Sequence, residues 1–395
     1  MISSAFVNTT PSSPTTNASD VATENLVEFG TMKSLADYFN AYATIPILAV
    51  GLFGNILTMR VFNRQTNWDR GTIHYFFYLA VSDTACLLIY GLVEWVSEGL
   101  KFATDGRWYF DLINYSAASC KSLRYIWNVF GSTSAWLIVS VTVERYVAIC
   151  HPLRRDIFTV ELRRKVIAAT FLLWITYHIP GSAWAYNVKP LYPGSDDLLC
   201  TYQEPNQTGR IAFAYAKLLM MYAVPVLVVL VFNTLIVVGI LRGRKSRNEM
   251  MVKSSRFETR ASKTLLIIST VFLVTMIPAS VAWLTYFHLF MVKTTPYTLY
   301  EKSLQELIFA FGKFANTLSM INYSINFLVY SSQYDFYKPT AKKLLCCRAE
   351  KGEDEARHRP QIAVVLTSNS ELSDSIGTAV IGGDNKAMGS QIDIV

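Results

Sequence analysis

Two intramembrane charge features stand out in the sequence for their chemistry. The stretch SVTVERYVAICHPL, Ser140 to Leu153, sets Glu144, Arg145 and Tyr146 at the end of an almost uninterrupted apolar run. An acid and a base side by side in such a setting have three readings: a solvated helix end, a buried structural pair, or a switch. Asp83 is the second feature, a lone carboxylate inside another apolar run, LAVSDTACLLIY. An ionisable group in lipid is costly, so it marks function by default.

These residues need elements to hold them, and composition says which. The chain has 395 residues, of which 52% are hydrophobic and 16% charged, with a net charge of +7. Soluble domains carry roughly 25% charged residues, so the composition is that of a membrane protein. Apolar runs lie at about 41–63, 72–97, 117–150, 164–186, 211–242, 260–291 and 303–331. Each reaches the ~20 residues that cross a hydrocarbon core. None alternates as a barrel strand does, so helices that satisfy their own backbone groups are expected. The fold class is therefore an all-α membrane protein with seven transmembrane helices.

The chain divides into a polar, Ser/Thr/Asn-rich segment 1–38, a helical domain 39–347 and a polar tail 348–395 expected to be disordered. No apolar stretch follows Met1, so no cleavable leader is expected. Basic residues gather between runs one and two, three and four, and five and six, and after run seven, while the opposite loops mix signs. The positive-inside rule then sets the amino terminus outside and the carboxyl terminus in the cytoplasm of a multi-pass plasma-membrane protein. The excess charge is a topology signal and does not point to nucleic acid. The sequons at Asn8 and Asn17 fall on the outer side, as do Asn114 and Asn206, and the first two are the glycosylation candidates. Cys120 and Cys200 also fall outside, where a disulfide is feasible. Cys346 and Cys347 follow a short amphipathic stretch, Gln333 to Leu345, which is expected to lie along the inner leaflet. They are palmitoylation candidates, and membrane lipid with Lys342 and Lys343 would hold that stretch down.

The ordered set of marks resembles the rhodopsin-like (class A) G-protein-coupled receptors. It comprises Gly54-Asn55, Leu79-Ala80-Val81-Ser82-Asp83, Trp108-Tyr109-Phe110, the Cys120/Cys200 pair and Glu144-Arg145-Tyr146, with Arg145 twenty-five residues after Cys120. It continues with Trp174, Pro225, Phe272, Pro278 and Asn322-Tyr323-Ser324-Ile325-Asn326-Phe327-Leu328-Val329-Tyr330. The resemblance covers about residues 40–347 and implies a short eighth helix on the inner surface. It implies a coupling switch of Glu144, Arg145, Tyr146, Glu258, Asn326 and Tyr330, in which Arg145 is held by Glu144 and by Glu258 at the start of run six. Release of Glu258 would let run six swing outward and admit a heterotrimeric G protein. It also implies a polar core of Asn55, Asp83, Ser134, Asn322 and Asn326 that can hold a sodium ion, with no other cofactor or metal. A Ser/Thr cluster in the tail, Thr367 to Ser375, is expected to be read by receptor kinases and arrestin.

Three positions depart from the family pattern. Met276 stands where a tryptophan usually precedes Pro278, Phe327 where proline usually follows Asn326, and Asn233 where run five often has a tyrosine. A weaker bend in run seven is expected without the proline. Trp127 replaces the aspartate of amine receptors, and Met320 the lysine of opsins, so neither ligand class fits. An extracellular peptide is the preferred ligand, and the sequence most resembles receptors of the FMRFamide or thyrotropin-releasing-hormone type. Glu94, Arg124, Trp127, Asn128, Tyr222, Met276 and Trp283 are the pocket candidates, supplying aromatic area and charges for a peptide. The alternative is an atypical receptor for a non-peptide ligand. A transporter would show an internal repeat, and a channel or pump more intramembrane acids; neither is found. The motifs G-x-S-x-G, H-E-x-x-H and G-x-x-x-x-G-K are absent, so no enzyme is expected.

Overall fold

The computed structural model describes residues 18–64, 73–190, 198–202, 208–250, 256–291, 299–334 and 336–345. Asn8, Asn17, Cys346, Cys347 and the Ser/Thr cluster of the tail lie outside the described residues, as does the side chain of Glu258.

Among the described residues, eight α-helices follow in chain order. They are α1 (Ala18–Asn63), α2 (Ile73–Ala103), α3 (Ala117–Cys150), α4 (Val160–Pro180), α5 (Thr208–Leu218 continuing as Val224–Met250), α6 (Arg256–Tyr286), α7 (Leu299–Ser324 continuing as Asn326–Gln333) and α8 (Tyr337–Leu345). A two-stranded antiparallel hairpin, β1 (Tyr186–Pro190) and β2 (Leu198–Tyr202), lies between α4 and α5. The first seven helices form the bundle. Among the described residues six stretches are long and apolar enough to cross a membrane: Thr31–Asn63, Ile73–Ala103, Ala117–Cys150, Val160–Ala183, Ile211–Arg242 and Lys263–Leu289. The outer part of α7 is less apolar because it carries Glu301, Glu306 and Lys313.

The bundle buries polarity and displays hydrocarbon. Phe53 and Ile56 on α1, Leu172 and Leu173 on α4, Leu227 and Val231 on α5, and Val274 and Val281 on α6 are all exposed. Asn55, Asp83, Ser134, Thr264, Asn322 and Asn326 are buried. A soluble protein would be destabilised by that much exposed apolar surface; in a bilayer it faces lipid, and the inward polar groups must find partners among themselves.

Local sequence explains several element ends. Ser116 caps α3 by accepting from the Ser119 backbone N–H at 3.1 Å, and the Ser119 hydroxyl accepts the Ser116 N–H in return, a reciprocal cap. Thr159 caps α4 by accepting from Leu162 N–H at 3.2 Å. After α2 the chain reverses through Asp105 and Gly106, at φ 50° and 76°, the left-handed region that glycine enters without penalty. Wider, π-type turns interrupt α2 at Leu87–Leu92 and Trp95–Gly99 and α5 at Leu219–Ala223. Such turns re-aim side chains within a helix.

Two elements differ from the expectations above. Helix α1 starts at Ala18, inside the segment read as a polar tail. Contacts with α7 hold its outer part: Ala36 is buried, Phe39 packs on Phe314 at 4.7 Å, and the Asn40 amide donates to Thr317 Oγ1 at 3.3 Å. Helix α7 is interrupted at Ile325 without a proline. The Leu328 N–H closes a tight turn on the Ile325 carbonyl at 2.9 Å. The ring of Phe327 occupies the notch left by Gly54, where a Cβ would overlap it.

Candidate functional site

Three clusters run along the bundle axis. At one end, Glu144 and Arg145 are both buried, with 2% and 8% of their surface exposed. Arg145 Nη2 lies 3.5 Å from Glu144 Oε1. The closer partner of Glu144 is Arg163, from the first turn of α4. Its Nε donates at 3.1 Å to Oε2 and at 3.2 Å to Oε1, and its Nη2 donates at 3.1 Å to Oε1. The carboxylate thus sits between two guanidiniums, and the forked geometry is the stronger of the two pairings. In the sequence Arg163 reads only as a topology charge. Nothing local marks it, because α3 and α4 are brought together by the turn between them.

Tyr146 points away from this pair. Its hydroxyl is 3.3 Å from His151 Nε2, and its ring meets Phe232 of α5 edge-on at 5.1 Å. Glu144 and Arg145 therefore face each other, and Tyr146 faces α5. Nearby, the amide of Asn233 on α5 donates to Ser269 Oγ on α6 at 2.9 Å, and both are buried. Asn233, at the position where run five often has a tyrosine, therefore links α5 to α6 directly.

The second cluster centres on Asp83, which is fully buried (0% exposed). Ser134 on α3 donates to Oδ1 at 2.6 Å, and Asn326 on α7 donates to Oδ2 at 2.8 Å. One carboxylate thereby joins three helices, and the interruption of α7 at Ile325 starts the segment that carries Asn326. Asn55 belongs to the neighbourhood but not to the carboxylate: its amide donates to the Tyr323 carbonyl at 2.8 Å. Asn322 is buried with neither Nδ2 nor Oδ1 hydrogen-bonded. Asn55 Oδ1, Asn326 Oδ1, Ser82 Oγ and the Tyr330 hydroxyl are likewise buried and unbonded. Buried polar atoms of this number call for water or an ion. The oxygens of Asp83, Ser134 and Asn322 are the hard donors that suit a cation such as sodium.

The third cluster occupies the other half of the bundle. Trp127 stacks on Tyr90 with centroids 4.1 Å apart and meets Tyr323 edge-on at 6.1 Å. Glu94, Arg124 and Tyr222 lie within electrostatic range of the Tyr90 hydroxyl. Of the pocket candidates, Trp127 is thus the one seen packed on Tyr90. Trp283 stands apart: its Nε1 donates to Asn316 Oδ1 on α7 at 2.8 Å, and its ring packs on Tyr286 and Phe309. Asn128 and Met276 are buried.

Two lysines that sequence reading passed over complete this half. Lys313 on α7 donates to Asp37 of α1 at 2.6 Å and also pairs with Glu98 of α2. Lys217 on α5 is buried and donates to the Tyr186 hydroxyl at 2.6 Å. Tyr186 begins β1, so this bond ties the hairpin to α5. Cys120 and Cys200 form a disulfide with Cα atoms 5.6 Å apart, fastening β2 to the start of α3. The Cys200 backbone N–H also donates to Asn114 Oδ1 at 2.6 Å, while Asn114 Nδ2 donates to Asp111 at 2.7 Å. Asn114 serves as a strut for the hairpin.

Comparison with known proteins adds to this geometry. The family described as 7 transmembrane receptor (rhodopsin family) matches residues 54–330. Rat galanin receptor type 1 is 23% identical over 335 residues, covering 82% of this chain and 87% of that protein. Human cholecystokinin receptor type A is 28% identical over 226 residues, covering 56% and 49%. The neuromedin U receptor homolog nmur-2 of Caenorhabditis elegans is 34% identical over 126 residues, covering 32% and 29%.

Proposed function

The chain belongs to the rhodopsin family of seven-transmembrane receptors, and from that membership we propose that it binds a peptide between its outer helix ends and activates a heterotrimeric G protein at the other. It is a multi-pass membrane receptor and not an enzyme. Among the similar proteins are receptors for galanin and cholecystokinin and a neuromedin U receptor homolog, which supports a peptide ligand here. The positive-inside pattern supports an outer amino terminus and a cytoplasmic Glu144-Arg145-Tyr146.

The observation that carries the reading is the buried Glu144 carboxylate shared between Arg145 and Arg163. Charges withdrawn from water at a helix end are stable only while paired. With Arg163 able to hold the carboxylate by itself, Arg145 can leave it without stranding a buried charge, which is what a switch at this position requires. In the resting state Glu144 restrains Arg145. In the active state Arg163 keeps the carboxylate and Arg145 is released toward the G protein.

The signal path follows the clusters. A peptide resting on Trp127 shifts Tyr90 and Tyr323. Tyr323 carries the carbonyl that holds Asn55 and adjoins Asn322, so its movement reaches the Asp83 core. A sodium ion held by Asp83, Ser134 and Asn322 would neutralise that core in the resting state. Asn326, bonded to Asp83, passes the change to the inner segment of α7. Arrestin and receptor kinases acting on the tail would end the signal.

The test is to express the full chain with a promiscuous G protein, apply a panel of amidated neuropeptides and record calcium, with Arg145→Ala in parallel. A response to one peptide, lost in the variant at equal surface expression, supports the reading. A response that persists in the variant overturns the role of Arg145. Silence to every peptide in a chain that answers small organic ligands overturns the ligand class.

A further inference from the structure

Phe232 and Asn233 are neighbours on α5 and turn to different helices. The Phe232 ring meets Tyr146 of α3 edge-on at 5.1 Å. The Asn233 amide donates to Ser269 Oγ of α6 at 2.9 Å, and its Oδ1 lies 3.1 Å from the same hydroxyl. Two adjacent residues of α5 therefore join the helix of Glu144 and Arg145 to α6. Asn233 is 8% exposed and Ser269 0%, and polar groups buried that deeply need their bond. Leu265, Ile268 and Phe272, which flank Ser269 on α6, are buried hydrocarbon. Hydrophobic contact has no direction, so it fixes no register between the helices; the hydrogen bond does.

We infer that Asn233 and Ser269 are positioning residues, and that their bond is the catch holding the Arg256 end of α6 in its resting place. The inference rests on the swing of α6 in the proposed function. Three features suit a catch better than a fixed joint. First, the bond opens with little motion. Ser269 lies nine residues before Pro278, a proline inside α6 at which a helix bends readily. On that lever of about 13 Å, a rotation of about 4° away from α5 lengthens the bond by ~0.9 Å, past hydrogen-bonding reach. Second, opening it strands little. The Ser269 hydroxyl also meets the Leu265 carbonyl of its own helix at 2.7 Å, and that bond travels with α6. The Asn233 amide is left to water entering the opened mouth. Third, both partners are neutral, so no charge is left buried without a counter-charge. The link through Phe232 to Tyr146 lets a displacement of α3 next to Arg145 reach the catch.

The experiment uses the full chain in vesicles, with spin labels carried by unnatural amino acids at Arg60 of α1 and Lys263 of α6, both exposed. Pulsed electron resonance measures the distance between the labels without added peptide. Basal nucleotide exchange by an added heterotrimeric G protein is measured on the same samples. Asn233→Leu and Ser269→Ala are each expected to raise the fraction at the longer distance, and basal exchange, about fivefold, the factor one net hydrogen bond carries. The double substitution adds little to either single one, because both remove the same bond. Asn233→Gln keeps the amide and stays near the unaltered chain. Distances that do not change in Asn233→Leu and Ser269→Ala mark a fixed structural bond and overturn the inference, whatever the loss of thermal stability. Effects that multiply in the double substitution also overturn it. A longer distance in the variants with no exchange by any chain supports the catch and overturns the coupling reading instead.

Discussion

Arg163→Ala isolates the least expected feature of the inner cluster. The side chains of Arg163 and Glu144 are 12% and 3% exposed, and three N–H···O contacts of 3.1 to 3.2 Å join them. Removing one partner of such a buried pair costs about 3–5 kcal/mol, because a charge is left in a poorly solvated place. Arg145 remains at 3.5 Å and can draw closer, so the expected loss is at the lower end, about 3 kcal/mol. In Glu144→Gln the charge is gone, and Arg163→Ala added to it should cost only about 1 kcal/mol, the worth of a single hydrogen bond. The difference, about 2 kcal/mol, is the coupling of the pair. Arg163→Lys supplies the charge without the fork and should recover part of it. Function carries a second signature. With Arg163 gone, Glu144 turns wholly to Arg145, so basal signalling falls and more agonist is needed. The assays are thermal unfolding of the detergent-solubilised chain for all four variants and basal calcium or cyclic-nucleotide signalling in cells. An equal cost for Arg163→Ala with and without Glu144→Gln would refute the reasoning, and so would a rise in basal signalling.

Gly54→Ala should cost about 1–3 kcal/mol by overpacking against Phe327, visible as lower surface expression, and Phe327→Leu should restore it. Cys200→Ser opens a link spanning 80 residues and should cost about 2–5 kcal/mol, measured by unfolding with and without reductant. Sodium chloride should raise the melting temperature above that in choline chloride at equal ionic strength, and Asp83→Asn should abolish the difference; an unchanged difference refutes the ion site. Lys313→Met leaves Asp37 and Glu98 facing each other and should loosen α1 from α7, read as faster hydrogen exchange in the outer part of α1.

What could be read from the chain before folding follows from the range of the forces involved. Apolar length is a local property, so six spans are visible as runs, and α7 is visible despite Lys313 because its inner half keeps the pattern. The Asp83, Ser134 and Asn326 triad came from a family resemblance, since residues 51 and 243 positions apart carry no local sign of contact. Arg163 and Lys313 were missed for the same reason: each looks like an ordinary helix-end charge until a neighbouring helix brings a carboxylate. The break at Ile325 was read as weakened because proline was the only cause considered. The Asn326–Asp83 bond and the fit of Phe327 into Gly54 hold the interrupted geometry without it. Tyr90 carries no local sign of its role, because a tyrosine in an apolar run reads as lipid-facing, and only packing shows it buried against Trp127.

The central claim is that an outer peptide releases Arg145 to a G protein. The most direct measurement is guanine-nucleotide exchange by a purified heterotrimer, with the full chain reconstituted in vesicles and a peptide found active in cells. The peptide is expected to accelerate exchange with the unaltered chain and to leave the basal rate unchanged with Arg145→Ala, although the variant still binds the peptide. Equal acceleration by both chains would contradict it.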